Sequence, residues 1–245
     1  MIDIMRTSAS RPDYLKISTE ALQEHLKYTG DFRWIIHEDC LDKGRSNKCM
    51  KFIKECGLYH KVHRDNPAIG QGPSLITLLN QVKSKYVINF EDDFELLKDV
   101  NVDELIKVMD NNPKVNQIGF HKRPIMIRKP NFEKKHVIID NIDFTVSPHW
   151  SFIPSIFRLS YLKPKWQTFN IDCHWKMNDV LKGYRKSVDA DWVIKNTGTY
   201  FLGRAKNKTL FNKLSQEEYN KIDNGFYARH LGMGNGSVRL GRYGK

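Results

Sequence analysis

The stretch Tyr86-Val87-Ile88-Asn89-Phe90-Glu91-Asp92-Asp93-Phe94 decides how this chain reads. A short, mostly apolar run passes directly into three acids. The run has the length and residue types of a strand buried inside an α/β sheet. The carboxyl end of such a strand is where an open sheet presents its ligand-binding groups. Adjacent carboxylates repel, and they persist together best where a hard cation or another positive charge compensates them. A divalent ion bridging a diphosphate meets that need. A solvated acidic turn is the plainer alternative, and the surrounding chain decides between them.

Upstream, Ile2 to Met5 is a short apolar strand. Arg11-Pro12-Asp13 then opens a helix whose Leu15, Ser18, Leu22, His25 and Leu26 fall near one face. Arg33 to Ile36 reads as a second strand, ending in His37-Glu38-Asp39. The pattern then predicts a helix around Asn47 to Glu55, stopped before Gly57, and a strand over Leu58 to Val62. Gly70-Gln71-Gly72-Pro73 leads into a helix carrying Leu75, Leu78, Leu79 and Val82, with Pro73 tolerated in its first turn. After the acids, Asn101 with Glu104 three residues on is a cap for a helix through Met109, and Asn116 to Phe120 is another strand. Strand and helix alternate through about residue 120, which implies an α/β fold with a mostly parallel central sheet flanked by helices.

The second half is less regular. It offers a basic loop at 121–135, strands near 136–146, an aromatic segment from His149 to Pro154, a helix near 174–182 and a Gly-rich tail from Asn224. No repeat or low-complexity linker divides the chain. Residues 1–245 read as a single domain, with a nucleotide half over 1–120 and an acceptor half over 121–245.

Composition narrows the classes. The chain has 245 residues, 40% of them hydrophobic, enough for a sizeable core. No apolar run approaches the ~18 residues of a membrane span. Met1 to Arg6 lacks a charged leader followed by an apolar segment, so no signal peptide is expected. Cys40, Cys49, Cys56 and Cys173 form neither a CxxC nor a zinc spacing, and reduced thiols in a cytoplasmic protein are the expectation. Forty Lys and Arg against 28 acids give a formal charge of +12, which favours a polyanionic partner: nucleic acid, anionic membrane or a phosphorylated substrate. Solubility in a Lys-rich proteome is the competing explanation.

Four elements fall in one order: a strand followed by Thr7-Ser8-Ala9-Ser10-Arg11-Pro12 and a helix; a strand ending in Glu38-Asp39; Asn66 with a Gly-rich turn before a helix; and a strand ending in Glu91-Asp92-Asp93. Together they resemble the nucleotide half of the GT-A glycosyltransferases, most closely the inverting family 2 enzymes. The resemblance covers residues 1 to about 120 well and the remainder loosely. It implies a nucleotide-sugar donor, such as a UDP-sugar, and Mn²⁺ or Mg²⁺. Carried over by position, Thr7, Ser8 and Arg11 would lie against the nucleotide and Asp39 would hold base or ribose. Glu91 and Asp92 would face the donor. Asp93 would be the main metal ligand, with Glu91 as the outer partner of a DxD-type motif. His230, in Arg229-His230-Leu231-Gly232, resembles the C-terminal His-x-Gly that completes metal coordination in many such enzymes; an ordinary tail histidine is the alternative. Two departures stand out. Leu75 sits where family members often carry Arg, and the first acid of the motif is Glu, one methylene longer than Asp. A literal DxD at Asp189-Ala190-Asp191 follows no apolar strand and reads better as a surface turn.

Such transfer needs a base near the acceptor hydroxyl. In the resembled family this is an acid just before or within a helix of the acceptor half, where this chain has Ile171-Asp172-Cys173-His174-Trp175-Lys176-Met177-Asn178-Asp179. Asp172 is the first candidate, Asp179 the second and His174 the third. A helix cap is the competing role for Asp172. Trp150 and Trp175 suit stacking on a sugar or base, and equally a half-exposed core. For the acceptor, the basic loop and nearby aromatics fit double-stranded DNA carrying a hydroxymethylated base. The small, Lys- and Asn-rich chain also resembles tailed-phage enzymes that glycosylate hydroxymethylcytosine, arabinosyltransferases among them. A cell-envelope glycan or glycolipid acceptor is the alternative, although no basic amphipathic helix suits a bilayer surface. A sugar nucleotidyltransferase fits less well, because Met5 to Ser10 contains no glycine for a phosphate loop. A non-catalytic nucleic-acid-binding protein is the remaining class.

Overall fold

In the computed structural model, the described residues are 1–120, 136–147, 153–166, 199–202 and 227–231. Strand β1 (Ile2–Ser8) is buried along its whole length. Helix α1 (Pro12–His25) starts with Pro at its first position, where a missing N–H costs nothing, and has Asp13 in its first turn. It buries Leu15, Ser18, Thr19, Ala21 and Leu22. The two-residue β2 (Leu26–Lys27) leads to β3 (Phe32–Asp39), which runs through the acids Glu38 and Asp39 rather than stopping before them.

Helix α2 (Lys43–Cys56) begins four residues earlier than the apolar spacing predicts, because the Asp42 carboxylate accepts the Arg45 amide at 2.7 Å and caps it there. It ends at Gly57, whose φ of 66° is the left-handed stop that glycine adopts freely. Strand β4 (Tyr59–Asp65) is longer than predicted and forms an edge of the sheet. Helix α3 (Gln71–Leu79) covers β3 with Leu75, Leu78 and Leu79. The acid-bearing strand is β5 (Tyr86–Asn89), followed by β6 (Phe94–Leu96) and β7 (Val100–Asn101). Asn101 caps α4 (Val102–Asn111) by accepting the Glu104 amide at 3.3 Å, as its sequence predicts. Then come β8 (Gln117–Gly119), the hairpin β9 (His136–Ile139) and β10 (Ile142–Ser147), β11 (Ser155–Arg158), α5 (Leu159–Trp166), β12 (Thr199–Leu202) and β13 (Ala228–His230).

Among the described residues, nine strands form one sheet in the order β4-β3-β1-β5-β11-β8-β12-β10-β9. The first four are mutually parallel, as strand–helix alternation requires. Strand β11 then inserts antiparallel between β5 and β8, and β12 lies parallel to β8. The main core packs Ile4, Ile88, Phe90, Phe94, Ile118 and Ile156 with α4 residues such as Leu105 and Val108. A second core joins Met5, Ile35 and Val87 to Leu75 and Leu78 of α3. Helices thus hold the parallel strands from both sides, and their carboxyl ends line up along one edge.

That edge is pinned from behind by Arg6, which is fully buried. Its guanidinium donates to the Phe90 carbonyl at 3.1 Å, to Thr19 Oγ1 at 2.8 Å and to Ser18 Oγ at 2.6 Å. Ser18 in turn donates to the Glu91 carbonyl at 3.3 Å. A second buried polar knot ties the sheet's opposite end. There the Asp3 carboxylate accepts from Arg33 Nε, the Lys83 amide at 2.7 Å, and both the amide and hydroxyl of Ser84 at 2.9 Å.

Candidate active site

The sheet's carboxyl edge gathers most of the residues singled out from the sequence. Beyond β5 the backbone keeps its parallel ladder with β1: Phe90 N–H donates to the Met5 carbonyl and Asp92 N–H to the Thr7 carbonyl, both at 3.0 Å. This carries Glu91, Asp92 and Asp93 out beside the loop that follows β1. That loop turns at Ser10, whose φ of 57° is unusual for a residue with a side chain. The turn is held by the buried Glu38, which accepts the Ser10 amide at 3.0 Å, and by the Ser10 hydroxyl, which accepts the Leu41 and Asp42 amides at 3.0 Å. Burial pushes the Glu38 carboxyl above its usual range, against the pull of the Ser8 and Ser46 hydroxyls and the Ser10 amide.

The turn aims Arg11 at the acids. Its Nε donates to Asp92 Oδ2 at 3.1 Å, its Nη2 to Asp92 Oδ1, and its Nη1 to Asp93 Oδ2 at 2.7 Å. Asp92 also accepts the Ala9 amide at 3.2 Å and has no exposure to solvent. The three acids are therefore not equivalent. Asp92 is an internal anchor for Arg11. Glu91 lies against Gln71 at the start of α3, whose side-chain amide donates to it. Asp93 keeps a side-chain exposure of 13% and shares Oδ2 between Arg11 and His230 Nε2, the latter at 3.3 Å. Its Oδ1 is buried and has no hydrogen-bond partner among the described residues. Burial alone would raise the Asp93 carboxyl, but His230 and Arg11 outweigh it and hold it well below the usual carboxylate range. For Asp92 burial wins, and its carboxyl lies above that range.

His230 reaches the acids through a small separate sheet. Strand β13 pairs antiparallel with β6, setting His230 opposite Phe94, and the Leu231 amide donates to the Asp93 carbonyl at 2.7 Å. The imidazole meets the Phe94 ring edge-on at 4.8 Å. Arg229 fixes the same strand by pairing with Glu95 at 2.6 Å.

The remaining expectations divide. Thr7 and Ser8 end β1 beside this cluster and are both buried. Asp39 lies at the same edge, and its two oxygens accept the Ile69 amide at 2.7 Å and the Gly70 amide at 2.9 Å. It thus fastens the glycine turn before α3. Asp172 and Asp179 lie outside the described residues, as do His174, Trp150, Trp175, the Asp189–Asp191 motif and the basic loop. Sequence reasoning missed Glu38 beneath Ser10 and Gln71 on Glu91. Glu38 adjoins Asp39 in the sequence, and its alternation to the other face of β3 was the available signal.

No set of three or more His, Cys, Asp or Glu side chains is arranged for a metal among the described residues. The described residues therefore offer no protein-only cage. Asp93, with an oxygen lacking any partner among the described residues, and His230 beside it fit a Mg²⁺ or Mn²⁺ that would take its remaining ligands from elsewhere.

No protein-family model and no curated protein sequence matches the chain. Its similarities are to solved structures. It is similar to S. aureus TarS 1-349 in complex with UDP, at 12% identity and a TM-score of 0.54 over 82% of this chain and 57% of that one. Against S. aureus TarS the values are 13% and 0.52, over 91% of this chain and 40% of that one. The mannosyltransferase PcManGT from Pyrobaculum calidifontis, in complex with GDP-Man and Mn²⁺, scores 0.49 at 13% identity over 66% of this chain and 46% of that one, too low to weigh on the fold. This chain thus spans between about two fifths and three fifths of the length of these proteins. The sheet, its flanking helices and the likeness to TarS define the fold as that of the GT-A glycosyltransferases.

Proposed function

We propose that the chain is a metal-dependent glycosyltransferase that moves a sugar from a UDP-sugar to a hydroxyl acceptor with inversion. One observation carries this reading: in a GT-A sheet, the strand β5 exit presents a buried carboxylate oxygen, Asp93 Oδ1, that no residue described satisfies. Asp93 and His230 would hold Mn²⁺ or Mg²⁺, which when bound stabilises charge on the leaving diphosphate. Arg11 adds a fixed cation to the same cleft. Thr7, Ser8, Asp39, Glu91 and Asp92 shape the donor site, in a half spanning 1–120. Asp172, or failing that Asp179, takes the acceptor proton within 121–245. The complex of TarS 1-349 with UDP supports uridine as the donor's nucleoside.

We take the acceptor to be double-stranded DNA bearing a hydroxymethylated base, on the strength of the +12 charge. The test is a screen of nucleotide sugars against hydroxymethylated DNA, unmodified DNA and an oligosaccharide acceptor, at moderate salt, read by mass spectrometry of the products. Transfer only to hydroxymethylated DNA is expected. With roughly five phosphate contacts, the log–log slope of DNA affinity against salt should be about −4 to −5. Transfer to the oligosaccharide alone would replace the DNA reading with a glycan one, and no transfer from any donor would overturn the enzyme reading.

A further inference from the structure

Resting on the glycosyltransferase reading above, we propose that Arg11 is a built-in counter-cation: it occupies Asp93 while the cleft is empty, then yields Asp93 to a metal–diphosphate pair and offers its freed Nη1 N–H to the diphosphate. The guanidinium is divided unequally. Two of its nitrogens, Nε and Nη2, are committed to Asp92, whose carboxylate is wholly buried. That grip survives whatever happens at Asp93. Only Nη1 spans to Asp93 Oδ2, at 2.7 Å, and Asp93 is the more exposed acid of the two. Arg11 itself retains 27% side-chain exposure, so it is not sealed from an incoming ligand.

The charges explain why metal and donor should arrive together. Arg11 neutralises one of two adjoining carboxylates, leaving a single negative charge over the pair. A divalent ion approaching the vacant Oδ1 alone meets the repulsion of a guanidinium a few ångströms away. A diphosphate approaching alone meets the carboxylates. The two together balance the site. Loss of the Nη1 contact is offset by a new charge-assisted hydrogen bond from Nη1 to a phosphate oxygen, which a guanidinium fork suits. His230 already shares Asp93 Oδ2, so the carboxylate stays oriented as Nη1 leaves.

The experiment titrates Mn²⁺ into wild type, Arg11→Met and Arg11→Lys, following the free-ion electron paramagnetic resonance signal without nucleotide and with saturating UDP, GDP or CDP. Circular dichroism monitors folding. Arg11→Lys keeps a cation beside the buried Asp92 but has one nitrogen, which cannot grip Asp92 and reach Asp93 together, so it decides the matter should Arg11→Met fail to fold. Wild type should bind Mn²⁺ weakly alone and much more tightly with one of the nucleotides. Without nucleotide Arg11→Met should bind Mn²⁺ about tenfold tighter than wild type, Arg11→Lys, which frees Asp93 but keeps a cation, should bind it tighter by a smaller factor, and the enhancement by nucleotide should shrink in both. If nucleotide-dependent Mn²⁺ binding occurs in wild type but the variants bind Mn²⁺ alone no tighter, the counter-cation role is wrong and the glycosyltransferase reading stands. If none of the proteins binds Mn²⁺ under any condition, both fall.

Discussion

Replacing Asp39 by Ala separates two roles that its position allows. The carboxylate is 5% exposed and accepts the amides of Ile69 and Gly70. Gly70, with φ of 90°, is the turn that launches α3, and its carbonyl accepts the Ser74 amide and hydroxyl of the first helical turn. Each hydrogen bond to the charged acceptor is worth about 1.5–3 kcal/mol. Part of that is returned when a buried charge is removed, so the net loss should be about 3 kcal/mol. In a chain of 245 residues, at about 2–4 °C per kcal/mol, Tm should fall by about 6–12 °C. Asp39→Asn keeps one acceptor oxygen and should lose roughly half as much. Hydrogen exchange resolved by residue should show the Ile69 and Gly70 amides deprotected in Asp39→Ala, and calorimetry should show UDP binding weakened about tenfold through the loosened turn. An unchanged Tm with those two amides still protected would refute the reasoning, since it would mean the carboxylate does not hold the turn.

Asp93→Ala should slow transfer on the order of a hundredfold or more, with excess chelator producing a comparable loss in wild type; full turnover in chelator would contradict the metal assignment. Asp172→Asn should abolish transfer while UDP affinity is retained, and a normal rate there with a dead Asp179→Asn would move the base to Asp179. Burial works against the Asp3 carboxylate, but Arg33, the Lys83 and Ser84 amides and the Ser84 hydroxyl together hold it below its ordinary 3.8. The stability it contributes is therefore fully present above that value and is lost as pH falls below it, so the Tm gap between wild type and Asp3→Asn should be widest near pH 6 and narrow toward pH 3. Burial pushes the Cys49 thiol up to about 12, with Glu38 adding to the shift, so Cys49 should resist alkylation at pH 8 in the native state and react only on unfolding.

The parallel half was legible because its signals are local and repeat. Tyr86 to Phe90 is too apolar for anything but a buried strand, and the helices of Leu15 and Leu75 show one apolar face each. Asp42 was legible in principle as a cap, but Lys43 and Gly44 give a weak helical start and masked it. Strand β11 was not legible. Ile156 and Phe157 make too short an apolar run to separate a strand from a helix, and its antiparallel insertion is set by the space between β5 and β8. Arg6 illustrates a harder limit. No pattern distinguishes an arginine buried against the Phe90 carbonyl from one in solvent, because the decision lies with Ser18 and Thr19 on another element. Within the site, Asp93 and His230 were marked by residue type and neighbours, whereas the division of labour among Glu91, Asp92 and Asp93 depends on where Arg11 and Gln71 arrive in space.

The pairing of β13 with β6 bears on the order in which a growing chain acquires this site. Every partner that restrains the three acids from the amino-terminal side, Arg6, Arg11 and Gln71 included, precedes Glu91 in the sequence. Once β5 has docked on β1, the repulsion among neighbouring carboxylates is already reduced by Arg11, and the nascent half can wait as a compact unit. His230 is synthesised much later and must close a long loop to reach Phe94. Arg11 thus offsets part of the young cleft's negative charge during translation, and the arrival of the histidine strand becomes a late step that sets His230 beside Asp93 on a scaffold built without it.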